Sequence, residues 1–337
     1  TYWQFLLFGQ TLSPVRVDGL SLVFGYIFHI AAIASIIFAF HIKDTAQQVA
    51  GLVYAGSAIG AAFAGDLITL FVYWEGTAIS SVFLIWAGKS EASFKSGMRY
   101  LVIQILSGVL LLAGSVMHFK TTGSLAFDKM NLSGLGPTLI FAAFGIKAAF
   151  PLLHNWLQDA YPNATVTGTV FLSAFTTKLA IYGLARGFPG TEMLIWIGAV
   201  MAIFPIFYAM IENDLRRVLA YGLNNQLGFM VVGVGIGTEL ALNGTAAHAF
   251  AHILYKGLLF MSMGAVLYRT GTVKASELGG LYKCMPWTTI FCIVGIASMA
   301  TPLFCGFVSK SLIISAAAYK GHLLVWSALL FASAGIF

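Results

Sequence analysis

Charged residues are scarce in this chain of 337 residues, where Asp, Glu, Lys and Arg together make up only 9%. Soluble domains carry roughly 25% charged residues, so this scarcity excludes an ordinary soluble protein. Hydrophobic residues make up 59% of the sequence, and apolar runs reach the roughly 20 residues that a spanning helix needs. The composition therefore predicts an all-α polytopic membrane protein.

Cysteine is also rare, with only Cys284, Cys292 and Cys305 in the chain. Their spacing contains no C-x-x-C, and the sequence has no haem, zinc or iron–sulfur pattern and no glycine-rich nucleotide-binding motif. We therefore expect no cofactor, no metal and no catalytic site of the chain's own. Cys292 and Cys305 fall in apolar runs, which favours small core residues.

The apolar runs predict about eleven transmembrane helices in one domain, residues 1–337. The predicted helices cover 20–40, 49–64, 67–87, 97–117, 137–153, 164–185, 192–211, 218–236, 244–267, 286–304, 306–319 and 322–337. We expect 286–304 and 306–319 to form one span that is broken around Pro302 and Gly306. Segment 1–19 is predicted to be an interfacial loop.

The loops carry unequal numbers of basic residues when the helices are placed alternately across the membrane. One side holds nine, namely Lys43, Lys89, Lys95, Arg99, Arg216, Arg217, Arg269, Lys274 and Lys283. The other holds five, namely Arg16, Lys120, Lys129, Arg186 and Lys320. The positive-inside rule places the first set in the cytoplasm and residues 1–19 outside it. The net charge of +6 is thus no indication of nucleic-acid binding.

Four lysines and one acid lie deep inside the apolar runs: Lys147, Lys178, Lys256, Lys310 and Glu75. A charge at the bilayer centre costs at least ~2.5–3.5 kcal/mol, so such residues are functional candidates. An apolar site favours the neutral amine, which makes proton uptake and release feasible near neutral pH. Glu75 could pair with one lysine as a proton switch, or the pair could be static and only fix helix packing.

His248, His252 and Lys256 are spaced i, i+4 and i+8, so they lie on one helix face at intervals of about 6 Å. Imidazoles titrate near pH 6.5 and transfer protons readily, which favours a relay. Helix–helix hydrogen bonding and metal ligation are alternatives, although a third metal ligand is not evident nearby.

Three further features concern helix ends and the membrane edge. Pro151 follows Lys147 and Pro302 precedes Lys310, so both helices are expected to be interrupted near their lysines. Asp66 is expected to cap a helix. At the membrane edge, His154 and Asp159 are candidates for proton uptake or exit, or are solvated loop residues.

Several segments together resemble one family of proton-conducting, antiporter-like membrane subunits. They are FVYWEGTAISS (71–81), GIKAAFPLLHNWLQDAYPNAT (145–165), TTKLAIYGLAR (176–186), NDLRRVLAYGLNNQLGF (213–229), HAFAHILYKGLLF (248–260) and PLFCGFVSKSLI (302–313). The family comprises membrane-arm subunits of respiratory complex I, the D and A subunits of Mrp-type sodium/proton antiporters, and subunits of membrane-bound hydrogenases. The segments look most like those of the antiporter D subunit.

The resemblance implies two inverted five-helix repeats, each with a discontinuous helix, and other membrane subunits as partners. It implies that Glu75 is the modulating glutamate, Lys147 its paired lysine and Lys178 the connecting lysine. His248, His252 and Lys256 match the central relay, and Lys310 the distal position. Members usually have about fourteen helices, so we expect further helices before Thr1 and after Phe337.

The sequence thus predicts a proton-translocating subunit of a multisubunit complex in a prokaryotic inner membrane, most closely the Mrp-type D subunit. One alternative is a proton-pumping subunit of a complex I-type NADH:quinone oxidoreductase or of a membrane-bound hydrogenase. A non-conducting structural subunit and an autonomous solute carrier are the others. Protons are the expected cargo, and passage of sodium through this chain is left open.

Overall fold

A computed structural model describes residues 2–7 and 9–335, apart from the side chains of residues 2, 7 and 300. Its first half contains α1 Gly19–Ala39, α2 Thr45–Phe63, α3 Leu67–Trp86, α4 Glu91–Thr122, α5 Leu135–Lys147, α6 Asn155–Asn163, α7 Val166–Ala174 and α8 Thr176–Gly187. Its second half contains α9 Glu192–Ile211, α10 Leu215–Ile236, α11 Glu239–Thr270, α12 Leu281–Cys284, α13 Pro286–Ala300, α14 Cys305–Tyr319 and α15 Leu323–Ala334.

The architecture is that of an integral membrane protein. Seven described helical segments are long and apolar enough to cross a membrane, and one of them, Val166–Gly187, combines α7 with α8. Four shorter apolar helices, α5, α13, α14 and α15, add to these. The helical fold is confirmed, whereas the count of about eleven spans stays a prediction.

The N-terminal segment 1–19 is not a loop, and here the prediction is wrong. Strands β1 Tyr2–Leu7 and β2 Gln10–Arg16 pair antiparallel through a turn that includes Gly9 at φ +74°. Thr1 and Phe8 lie outside the described residues. The hairpin is held in place because Ser13 bonds the start of α3, accepting from the Gly65 amide and donating to the Asp66 carboxylate.

Asp66 also caps α3, as predicted, because its carboxylate accepts the Thr69 amide at 2.7 Å. The prediction for the cysteines is not met. Cys305 is exposed and Cys292 is only partly buried, because each lies on the outward side of its helix.

Two spans are interrupted beside their lysines, as predicted from Pro151 and Pro302. The predicted helix 137–153 ends early, because α5 stops at Lys147 and the chain turns with Ala149 at φ +61°. The second interruption lies between α13 and α14, where Leu303 has φ +75°. Proline removes a helical amide, and the positive φ values complete the turn.

A third interruption lies at Phe175 between α7 and α8, where the apolar pattern predicts one continuous helix over 164–185. Side chains satisfy the backbone groups that this break frees. The Thr176 amide donates to the Tyr54 hydroxyl of α2 at 3.0 Å, and the Ser173 carbonyl accepts from the Lys178 ammonium. The break thus places Lys178 in the centre of the molecule.

Backbone contacts recur 148 residues apart along the chain. Asp66 forms an isolated antiparallel bridge with Ala126, and Asp214 forms the same bridge with Lys274 (214 less 66, and 274 less 126). The helices between the partners, α3 with α4 and α10 with α11, correspond in order and length. Counting α5/α6 and α7/α8 as single spans, three spans lie between the two units, so the second unit begins five spans after the first. The odd number supports the predicted inverted repeats.

The central helices are the most completely buried. In the best apolar windows of Val166–Gly187 and Leu215–Ile236, 94% and 89% of residues are inside the protein. Arg216 of α10 holds the end of α6 and the start of α7, because its buried guanidinium donates to the carbonyls of Tyr161, Pro162, Ala164 and Thr165. The ionisable side chains of this central layer therefore face protein rather than lipid.

A cluster of ion-paired residues lies on the face of the protein that carries the hairpin. Arg186 at the end of α8 donates to both carboxylate oxygens of Asp18 at 2.8 Å, and Arg16 joins Asp18 to Asp128. Partial burial acts to raise the pKa of Asp18. The hydrogen bonds from Arg186 and the Ser21 amide outweigh it and hold that pKa well below its usual value.

Candidate functional site

Lys147, the last residue of α5, is fully buried and points at α3. Its ammonium donates to the Trp74 carbonyl at 2.7 Å and to the Thr77 hydroxyl at 2.8 Å, and it lies 4.3 Å from the Trp74 ring centroid. Neutral acceptors and an aromatic face stabilise a cation without a permanent counter-charge. The site can therefore hold the amine in its charged form and still release the proton.

Glu75 does not touch Lys147. Among the described residues no cation lies within 4.0 Å of its carboxylate, although the two charges are close enough to attract one another. Its Oε1 atom is buried without a hydrogen-bond partner and rests against Gly108 of α4, where an added Cβ would lie 1.3 Å away. The structure thus places the two predicted partners near one another without a direct contact, and their role as a proton switch stays a prediction.

Lys178 is fully buried just after the break between α7 and α8. Its only hydrogen bond in the described part of the chain goes to Ser173, and its charge acts on Lys256 and His252. No hydrogen bond joins it to Lys147 within residues 2–7 and 9–335. The structure therefore brings Lys178 near Lys256 and His252, without a hydrogen bond to either among the described residues.

His248 bridges two helices. Its Nε2 atom lies 3.1 Å from the Gln226 side-chain oxygen on α10, and its Nδ1 lies 2.9 Å from the Ser309 hydroxyl on α14. A hydroxyl can donate to Nδ1 of the neutral ring or accept from it when the ring is protonated. This environment accommodates both forms of His248.

The other members of the stripe continue from His248 along α11. His252 stacks on His248 with ring centroids 6.0 Å apart, and both of its ring nitrogens are buried without a protein partner among the described residues. Lys256 donates to the Leu219 carbonyl at 3.2 Å. The predicted i, i+4, i+8 face is therefore present and points into the protein.

Lys310 lies one residue after Ser309, which bonds His248. Its ammonium is buried over the Phe229 ring at 5.7 Å and has no hydrogen-bond partner in the described region. The charge of Lys310 acts on His248 and His252. The predicted distal lysine thus stands beside the stripe and, unlike the other three, has no hydrogen-bond partner among the described residues.

Two cavities open on the face with the larger number of basic loop residues, which we name the basic face. One, of about 390 Å³, is mostly apolar and reaches Lys256 between α10, α11 and α13. The other, of about 400 Å³, is lined by polar side chains, including His154 and Asp159, which the sequence singled out. Asp159 pairs there with Arg99 at 3.1 Å. Within the described residues, neither His154 nor Asp159 bonds a buried lysine.

Several polar residues in the site were not singled out from the sequence. Thr77, Gln226 and Ser309 hold Lys147 or His248. Gln104, Gln158, Thr177 and Asn224 are buried with side-chain atoms that have no partner among the described residues. The triplet Asn224–Gln226 could have been found from the sequence, because three amide side chains in a row inside an apolar run indicate hydrogen bonds between membrane helices.

The fold and the buried line of amines and imidazoles define a polytopic membrane protein with titratable groups along its interior. The chain belongs to the family described as NADH:quinone oxidoreductase/Mrp antiporter, transmembrane, whose model matches residues 64–335.

Curated relatives of the chain belong to different complexes. Hydrogenase-4 component B of Escherichia coli (strain K12) is 31% identical over 269 residues, which are 71% of this chain and 40% of that protein. The D subunit of the Na(+)/H(+) antiporter of Alkalihalophilus pseudofirmus is 30% identical over 279 residues, 77% of this chain and 56% of its own. The chain thus spans about half the length of these relatives.

A solved structure has the same fold. A chain in the structure of the Mrp complex from Dietzia sp. DQ12-45-1b superposes with a TM-score of 0.87 at 23% identity, over 97% of this chain and 65% of that one. This likeness confirms the fold class.

Proposed function

We propose that this chain is a single transmembrane domain that translocates protons within a multisubunit membrane complex. A proton taken up from the basic face charges Lys147, passes through Lys178 and the stripe His248, His252 and Lys256, and leaves by Lys310. The observation that carries the proposal is the burial of all these groups in the protein interior, with no salt bridge to any of them among the described residues. Glu75 attracts the charge on Lys147.

The basic face is the cytoplasmic face in this proposal, because its loops carry nine basic residues against five. His154 and Asp159 then line a cytoplasmic cavity, which suits proton uptake better than exit. The membrane is the inner membrane of a prokaryote, and residues 1–19 lie on its non-cytoplasmic side.

The complex we favour is an Mrp-type sodium/proton antiporter, with this chain in the place of its D subunit. Support comes from the antiporter relative and from the residues of the segments around 161–178 and 212–226. The hydrogenase-4 relative favours a second candidate, a proton-pumping membrane subunit that a redox partner drives. Everted vesicles distinguish the two candidates, since a sodium gradient drives proton movement only in the antiporter.

The proposal is tested with Lys147→Ala and Glu75→Ala in the assembled complex. Each is expected to lower proton exchange by at least about 100-fold, because a charge-carrying group in the path is removed. The amount of chain in the purified complex should stay unchanged. Lys120→Ala, at the exposed end of α4, is the matched control and should behave as the unaltered protein. A non-conducting structural role predicts unchanged exchange in both variants.

A further inference from the structure

Gln104 lies in the middle of α4 and is fully buried. Neither its side-chain oxygen nor its nitrogen has a hydrogen-bond partner among the described residues. An amide at this depth is costly unless its donor and acceptor are used, so it marks a place where polar contacts are made. The proton path proposed above does not use this residue.

The repeat gives Gln104 a counterpart in the other half of the chain. The spacing of 148 residues that relates the two backbone bridges also relates Gln104 to His252, Tyr100 to His248 and Gly108 to Lys256 (252 less 104, 248 less 100, 256 less 108). All three residues of α4 are buried and lie on one face. We name Tyr100, Gln104 and Gly108 the α4 stripe.

One end of the α4 stripe reaches Glu75. The Glu75 carboxylate rests directly on Gly108, and its Oε1 atom has no hydrogen-bond partner in the described region. Any side chain at 108 would occupy the space of that carboxylate. The lack of a side chain at Gly108 therefore leaves the space that the Glu75 carboxylate occupies. Gln104 lies one helical turn away, about 6 Å along the axis of α4.

The other end of the α4 stripe reaches the polar cavity of the basic face. Tyr100 packs edge-on against Trp156, with ring centroids 5.5 Å apart, and Trp156 lines the cavity together with Arg99 and Ile103 of α4. From Tyr100 to Gly108 the helix rises about 12 Å. The stripe thus connects the cavity to Glu75 along one helix.

We propose that the α4 stripe is the proton uptake line of the first repeat, linking the polar cavity to Glu75 and Lys147. Gln104 is a positioning residue, because its amide can both donate to and accept from hydrogen-bonded water that carries the proton. Gly108 is a second positioning residue, which leaves room for the Glu75 carboxylate at the inner end. The inference rests on the proposed function and adds the helix and the residues along which the proton reaches Glu75 and Lys147.

The test of Gln104 compares two substitutions in the full complex. Gln104→Met keeps the length of the side chain and removes its polar atoms, whereas Gln104→Asn keeps the amide. We expect exchange to fall by about tenfold in the first and by less than about threefold in the second, with a larger H₂O/D₂O rate ratio for the first. Full exchange with methionine, or equal losses in both at normal assembly, would overturn the proposal.

Gly108→Ala tests the inner end, with Gly56→Ala in open space on α2 as the matched control. Exchange should fall in the first and not in the second, and Glu75→Asp should partly restore it because the shorter side chain withdraws from position 108. Lack of any loss, or of any restoration, overturns the role of Gly108. Loss of exchange in Glu75→Ala with full exchange in the α4 variants rejects this inference alone. Retained exchange in Glu75→Ala rejects the proposed function.

Discussion

At the scale of single residues, the four buried lysines have the same chemistry and different environments. Lys147, Lys178 and Lys256 each donate to a backbone carbonyl, whereas Lys310 lies over an aromatic ring and has no hydrogen-bond partner among the described residues. A carbonyl stabilises the ammonium without fixing it as a carboxylate would. Neutral partners of this kind leave each amine free to gain and to lose a proton.

Thr77→Val tests whether these neutral partners matter. The change removes one of the two hydrogen bonds to the Lys147 ammonium, and a bond to a charged group contributes about 1.5–3 kcal/mol. Proton exchange is expected to fall roughly tenfold while the complex still assembles. Thr138→Val is the control, since that hydroxyl bonds only Gly134 at the exposed end of α5. Equal rates in both variants would show that the hydroxyl does not act on the proton path.

The ionisable residues of the site could be predicted from the sequence, whereas the hydroxyl residues that bond them could not. Ionisable side chains in apolar runs stand out, and the structure buries Lys147, Lys178, His248 and Lys256 as expected. Thr77 and Ser309 could not be found in the same way, because hydroxyl residues are common in membrane helices and bond their own backbone. Only the crossing of helices decides which hydroxyl meets a lysine or histidine.

At the scale of helices, three spans are interrupted, and each interruption frees backbone polar groups from the helical hydrogen bonds. The two beside Pro151 and Pro302 could be predicted, because proline cannot donate in a helix. The break at Phe175 could not, since no residue of 166–187 is a proline and its φ of −105° is open to any residue. Its cause is tertiary, because Tyr54 on α2 supplies the hydrogen bond that the helix gives up.

Tyr54→Phe tests that cause. The phenol oxygen accepts the Thr176 amide at 3.0 Å, and Tyr54 is fully buried. Its removal leaves a buried amide without a partner, which costs about 1–3 kcal/mol. We expect a lower thermal midpoint of the purified complex. Tyr26→Phe, on the exposed face of α1, should leave the midpoint unchanged. A midpoint equal to that of the unaltered protein would contradict a role for Tyr54 in holding the break.

At the scale of the whole molecule, the inverted repeat determines how the two buried stripes are oriented relative to one another. The second unit is inverted relative to the first, so α4 and α11 run oppositely across the membrane with buried stripes at corresponding positions. Similarity between the halves is too weak in sequence to show this, because the corresponding residues differ, as Gly108 and Lys256 do. The two hydrogen-bonded bridges still show how the halves correspond, although the side chains at corresponding positions differ.

The orientation of the whole molecule is testable through its own cysteine. Cys284 is exposed at the end of the short helix α12, in the connection between α11 and α13 on the basic face. The excess of basic residues there places this loop in the cytoplasm, so a membrane-impermeant thiol reagent should label Cys284 in everted vesicles and not in right-side-out vesicles. Cys284→Ser identifies the labelled residue, and Lys120→Cys in that background should show the opposite pattern. Labelling of Cys284 from the outer side would reverse the orientation, and both cavities would then open where protons leave the cell.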